Sequence, residues 1–319
     1  MRRVVPPLVH RLGIADCRRI EGLVEDLLDS RLDPAGSELY EHSWELVPEL
    51  PAGLRRALYG FRSAESPAAC LVQGLCPEDQ SFGEPPATGF PAPPPQRARH
   101  EELLLALVSM VLGEPFARAG HQGARVIGDV PPVDLSPSAE PPAAAWGTAD
   151  GPGPGRADYV GFLALRGTGP ALIGLAAVGD VALTDGDREL LCQPRFLTTG
   201  PDRDGLDPAA RAEAAGALLR GDRTDPYLRI DPFRARAREG DRAAGAALRA
   251  LRDGLDACRQ TVALEPGSVL VVDNHQAVHD GRRRPGERLR QILIARDLRR
   301  LREQRPSTGT RVLDSDGHP

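Results

Sequence analysis

The chain has 319 residues, with 40 Lys+Arg against 45 Asp+Glu and a formal net charge of −5. That length can bury a sizeable core as one large or two small domains. The slightly acidic balance argues against a general nucleic-acid binder, whose footprint would be basic, and no apolar run reaches the roughly 18 residues a membrane helix needs.

The N-terminal stretch MRRVVPPLVHRLG lacks the apolar core and cleavage site of a secretory signal. The five cysteines are scattered, with no CxxC pair. Both features suit a cytoplasmic protein with reduced thiols and no zinc site. Ile20, Leu23, Val24, Leu27 and Leu28 fall at helical spacing and predict a helix over residues 17–31. A second helix is expected over 45–61, interrupted by Pro48 and Pro51. The run AACLVQGL, residues 68–75, reads as a strand between Pro67 and Pro77, and a Pro/Gly-rich loop follows to about residue 96. RHEELLLALVSMVLG, residues 99–113, is the strongest helix signal, stopped by Gly113 and Pro115.

Beyond it the texture changes to short β-type runs between Gly, Pro and Asp turns: ARVIGDVPPV, DYVGFLALRG, ALIGLAAVGDVAL, GSVLVVDN and RQILIARDL. A helical insertion is expected over about 231–259, with Ala244, Ala247, Leu248, Leu251 and Leu255 as its apolar stripe. The pattern predicts a β-rich α+β protein in one domain over residues 1–305. A helical N-terminal portion (about 15–118) precedes a jelly-roll core (about 119–300), and residues 306–319 are expected to be a disordered tail.

Six segments carry a resemblance: LVQGL, VLGEPFARAGHQGARVIGDVPPV, GRADYVGFLALRG, CQPRFLTTGPDRDG, DPYLRIDP and LEPGSVLVVDNHQAVHDGR. In order and spacing the chain resembles the clavaminate synthase-like members of the Fe(II)/2-oxoglutarate dioxygenase superfamily. The resemblance implies a double-stranded β-helix and iron bound by a His-x-acid pair plus a distal histidine. It places the distal histidine at His279. Counting back from Arg156, it places the pair at Gly147 and Ala149 of the turn WGTADG, and neither side chain can ligate. Asp150 lies one position too late, and His121 about 26 positions too early. One imidazole makes a weak iron site, because such centres normally take three protein ligands.

The sequence therefore predicts a divergent family member in specialised biosynthesis, without an iron centre or other cofactor. It would act redox-neutrally on an amino-acid-like or peptide-like substrate, free or carrier-bound, with His279 and Asp150 as acid–base groups. Two alternatives stand beside it: an active Fe(II)/2-oxoglutarate amino-acid hydroxylase with unusual ligands, or a non-catalytic binding partner. For the 2-oxoglutarate carboxylate the resemblance implies an arginine on the last core strand. Arg288 and Arg290 are the candidates, with Arg288 preferred, and Gln291 replaces a second family arginine. Trp146, Gly147, Thr148, Ala149, Arg156 and Asp158 are the expected pocket residues, Arg156 and Asp158 first as an ion pair bracing the strand. Asp273 and Asn274 are expected to satisfy backbone donors of their turn. Arg282, Arg283 and Arg284 are either a solvated loop or an anion site.

Overall fold

In the computed structural model the apolar runs between turns become strands of two facing sheets. The model describes residues 4–64, 67–75, 98–119, 122–130, 146–149, 156–165, 170–197, 215–230, 235–280, 289–303, 309 and 311–314. The large sheet runs in the order β1 (Leu8–Arg11), β2 (Ala69–Gln73), β14 (Val269–Asp273), β6 (Tyr159–Ala164), β16 (Leu289–Ala295), β3 (Glu114–Arg118) and β17 (Val312–Leu313). An additional strand, β4 (Ile127–Asp129), also pairs with β16. The small sheet runs β13 (Gln260–Leu264), β7 (Ala171–Ala177), β15 (Ala277–Asp280) and β5 (Trp146–Gly147). Two minor sheets complete the β structure. One is a hairpin of β10 (Leu219–Gly221) and β11 (Pro226–Leu228); the other joins β8 (Phe196–Leu197) to β9 (Ala215–Gly216) and β12 (Arg236–Ala237).

Side chains alternate across each strand, so each large-sheet strand feeds two cores. Leu71, Phe162, Leu270, Val272 and Leu289 point inward, to meet Ile173, Leu175, Val262 and Ala277 of the small sheet. Their neighbours Cys70, Val72, Leu163, Val271, Ile292 and Ile294 point outward, against the helical layer. That layer consists of α1 (Ile14–Ser30), α2 (Ser43–Glu49), α3 (Ala52–Ala64) and α4 (Ala98–Leu112). Residues Leu103 to Leu112 of α4 are all buried, and Ser109 donates its hydroxyl back to the Leu105 carbonyl at 2.7 Å. At the end of α4, a Cβ on Gly113 would run into the Ala295 carbonyl oxygen, so glycine lets the chain pass against β16.

The small sheet's outer face is covered by α5 (Asp185–Leu191) and α6 (Arg242–Ala257). All five residues of the expected stripe on α6 are buried there. This two-sheet jelly roll with flanking helices is the expected fold class.

The expected break at Pro51 is present, and two other boundaries differ from expectation. The 45–61 helix divides into α2 and α3 because Leu50, preceding Pro51, is extended (φ −67°, ψ 150°), as the proline ring requires of its neighbour. The 231–259 insertion forms its helix only from Arg242, where Asp241 accepts from the Ala244 N–H as N-cap. The tail expected to be disordered contains β17, which pairs in parallel with β3 and buries Leu313 completely. A last short helix, α7 (Leu298–Arg302), precedes it.

Candidate active site

His279 lies on β15, and alternation puts it on the interior side with Ala277, while Val278 and Asp280 face outward. Its ring meets Phe162 of the opposite sheet edge-on, with centroids 5.0 Å apart. As a residue His279 keeps partial exposure, yet its Nε2 is sealed from solvent and has no hydrogen-bond partner among the described residues. Desolvation pushes the imidazole pKa down to about 4, so the ring is neutral at neutral pH.

The residue facing His279 is Gly147, its direct antiparallel partner on β5. Cross-strand partners project from the same face, and Ala149 also packs into the interior core. Thr148 turns the other way: its hydroxyl donates to the Ile230 carbonyl at 3.1 Å and accepts from Arg156 Nη1 at 3.3 Å. Asn274, fully buried, fixes this path by accepting from Ala149 N–H at 2.7 Å and donating to the Ala149 and Ala157 carbonyls at 2.9 Å. The positions that the resemblance assigns to the His-x-acid pair therefore do converge on His279. The residues there carry no donor. Among the described residues no group of three His, Cys, Asp or Glu side chains could hold a metal. These residues do not by themselves fit a three-ligand iron centre. Asp150, His121, Arg288 and Arg282 to Arg284 lie outside the described residues, as does the side chain of Trp146.

Beneath the turn lies a buried polar network that the sequence only partly revealed. Arg156 and Asp158 were expected to pair directly; instead His275 stands between them. Arg156 Nη2 is 3.0 Å from His275 Nδ1, and His275 Nε2 is 3.0 Å from Asp158 Oδ1. A guanidinium only donates, so Nδ1 accepts and the Nε2–H donates to the carboxylate. Asp158 also accepts from the Arg296 N–H at 2.8 Å and from Arg300 at 2.9 Å. Burial alone would raise its carboxyl pKa; the hydrogen bonds from His275 and Arg296, with the Arg300 charge, outweigh it and hold the pKa below the usual range. Desolvation, then the neighbouring Arg229 charge, lowers Arg156 to about 10. Asp273 caps the turn by accepting from His275 N–H and Gln276 N–H at 2.9 and 3.3 Å. Asp273 thus does what was expected of it, whereas Asn274 reaches across to residues 149 and 157 instead of capping its own turn. Arg156 and Asp158 brace the strand, the first of the roles expected of them, with His275 as the link.

Arg290 is not brought to the interior. It is almost fully buried on the helix-facing side of β16, where Nε donates to Glu102 Oε1 at 2.7 Å and Nη1 pairs with Asp129. Leu289 and Gln291 occupy the opposite face of the strand, and Gln291 stands across from Phe162 in register. The sequence also missed Asp280, whose carboxylate anchors β15 from behind through Arg259 and the Gly174 N–H. No local pattern marked it, because both partners come from other elements.

No family model matches the chain. It is 32% identical to the enduracididine beta-hydroxylase of Streptomyces hygroscopicus, over 91% of this chain and 95% of that protein. It is 28% identical to the L-ornithine/L-arginine 3-hydroxylase of Catenulispora acidiphila, over 96% and 100%. The solved structure of the non-heme iron oxygenase OrfP with Fe and alpha-ketoglutaric acid superimposes with a TM-score of 0.82 at 28% identity, covering 97% of this chain and 100% of that one. OrfP with Fe, succinate and (3S)-hydroxy-L-Arg superimposes at 0.80. The fold is that of a jelly-roll oxygenase. The chain belongs to the non-heme iron, 2-oxoglutarate oxygenase family, among its amino-acid hydroxylases. Two expectations are thereby corrected. These relatives are hydroxylases, and OrfP holds iron with 2-oxoglutarate or succinate, which overturns both the redox-neutral activity and the expected lack of cofactors. The missing ligands at Gly147 and Ala149 do not by themselves decide the chemistry of a chain this similar to hydroxylases.

Proposed function

We propose that the protein is an amino-acid hydroxylase using Fe(II) and 2-oxoglutarate through a donor set that departs from the family's. Its substrate would be a small free amino acid of the arginine type. The observation that carries this reading is His279: a neutral imidazole whose sealed Nε2 has no partner among the described residues, on the interior face of β15 in a chain that matches hydroxylases over 91% and 96% of its length. A buried polar atom without a partner is costly, and a ligand to that nitrogen removes the cost. Gly147 and Ala149 leave the facing side free of protein donors, and Asp150 is the carboxylate next in sequence. The names of the relatives support the substrate class. No helix among the described residues is long and apolar enough to cross a membrane, which suits the cytoplasmic placement proposed for it.

The test is to load the purified protein anaerobically with Fe(II), then supply oxygen, 2-oxoglutarate and L-arginine, L-ornithine or L-asparagine. Expected is succinate formation dependent on one amino acid, which gains one oxygen atom, and loss of both in His279→Ala. If no amino acid gives Fe(II)-dependent succinate, the hydroxylase reading fails, and the chain is a binding member of the family.

A further inference from the structure

We infer that Arg229, with Arg220 beside it, forms a binding subsite for the carboxylate of a small-molecule ligand, against the His275 turn. The β10–β11 hairpin pairs Leu219 with Leu228, both buried in the core, so Arg220 and Tyr227, the next pair, lie on the opposite face. Arg229 follows on the same face as Tyr227 and is tied down by its N–H to the Leu218 carbonyl at 2.9 Å. That sets Arg220 and Arg229 diagonally across the hairpin, roughly 7–8 Å apart at their Cβ atoms and within reach of one ligand. The face abuts the site already described. Tyr227 meets the His275 ring edge-on at 5.8 Å, the Leu228 N–H donates to the His275 carbonyl at 2.7 Å, and Arg156 Nη2 donates to the Leu228 carbonyl at 2.6 Å.

Among the described residues Arg229 has no counter-ion, and its guanidinium bonds no carbonyl either. Arg156, Arg290, Arg300 and Arg259 have a carboxylate or an imidazole bound to their guanidinium. Arg229 is half-buried, its Nε is sealed without a partner, and no carboxylate among the described residues pairs with it. Desolvation, then the Arg220 charge, lowers its pKa to about 10. A guanidinium that has lost water without gaining an anion gains most from a planar carboxylate, which takes two of its N–H groups at once. Two sources fit that chemistry: the α-carboxylate of an amino-acid substrate and a carboxylate of 2-oxoglutarate. The ligand rests on the function proposed above, but the subsite does not need the metal.

Binding is therefore tested on the full chain in EDTA, so that a missing iron centre cannot mask the result. The probes for calorimetric titration are L-arginine, L-argininamide, 2-oxoglutarate and succinate. Expected is saturable binding of at least one carboxylate, weakened tenfold or more in Arg229→Gln and less in Arg229→Lys, which keeps the charge but loses the paired N–H groups. L-arginine bound with L-argininamide rejected assigns the subsite to the substrate; 2-oxoglutarate and succinate bound assigns it to the co-substrate. If none of the four binds, or if Arg229→Gln binds them as tightly as the parent, the inference falls. Should Arg229→Gln not fold, Arg220→Gln on the exposed strand must show a weakening that is lost at high salt, and an unchanged affinity there likewise overturns it.

Discussion

At His279 the cost of sealing a ring nitrogen from water becomes a measurable pH dependence. The imidazole titrates near its usual 6.5 in the unfolded chain but near 4 when folded, so the unfolded state takes up a proton first as the pH falls. Stability from this group is complete above about pH 6.5 and is lost as the pH drops from there towards 4. The full effect amounts to about 3 kcal/mol at most. Urea unfolding between pH 7 and 4.5 should show this decline, and His279→Gln should flatten it. An equal decline in the variant would place the acid sensitivity elsewhere. The same depression keeps the lone pair free for a metal at neutral pH. Co(II) should then bind the parent protein and give d–d absorption bands in the visible that differ from those of the aqueous ion, with that difference lost in His279→Gln.

One element, β15, holds His279 in place, and it is fixed from its outer face. The Asp280 carboxylate is almost fully enclosed; it pairs with Arg259, beyond the end of α6, and accepts from the Gly174 N–H of β7 at 2.8 Å. A Cβ on Gly174 would strike that carboxylate, so glycine is required for the close approach. Asp280→Ala removes the acceptor from both donors and should destabilise the fold by about 3 kcal/mol, the usual cost of breaking a buried pair from one side. Asp280→Asn keeps an acceptor for Gly174 and should cost less. Chemical denaturation of the two variants checks the order; equal losses would mean that the charge of Asp280, not its oxygen geometry, fixes the strand. The strand β16 shows the limit of reading such elements from sequence. Leu289–Ala295 is mostly buried on both faces, and a strand enclosed on both sides has no polar–apolar alternation to say which face is the interior. Arg290 therefore looked available to a ligand, when it is paired with Glu102 and Asp129 under α4.

Across the whole molecule, what was legible followed the range of the contact. The strands, α4, the α6 stripe and the His279 turn come from neighbours within a few residues, and their apolar patterns announce them. The His275 network joins residues more than a hundred positions apart, and no local pattern records such a meeting. The C-terminus is the clearest case. Residues 306–319 read as a polar tail, yet Arg311 donates to the carbonyls of Pro115 and Tyr40 at 3.2 and 3.1 Å and pairs with Glu114 at 2.6 Å. Leu313 then completes a small core with Phe116, Ala295 and Leu301. This strand clamps the helical layer to the edge of the large sheet. Truncation after Arg305 loses the burial of Leu313, worth about 1.5–3 kcal/mol, together with the Arg311 contacts. A fall in melting temperature of roughly 5–10 °C is expected, whereas truncation after Asp314 should leave it unchanged. Calorimetry on the two shortened chains decides the matter: equal melting temperatures would show that β17 contributes nothing to the fold.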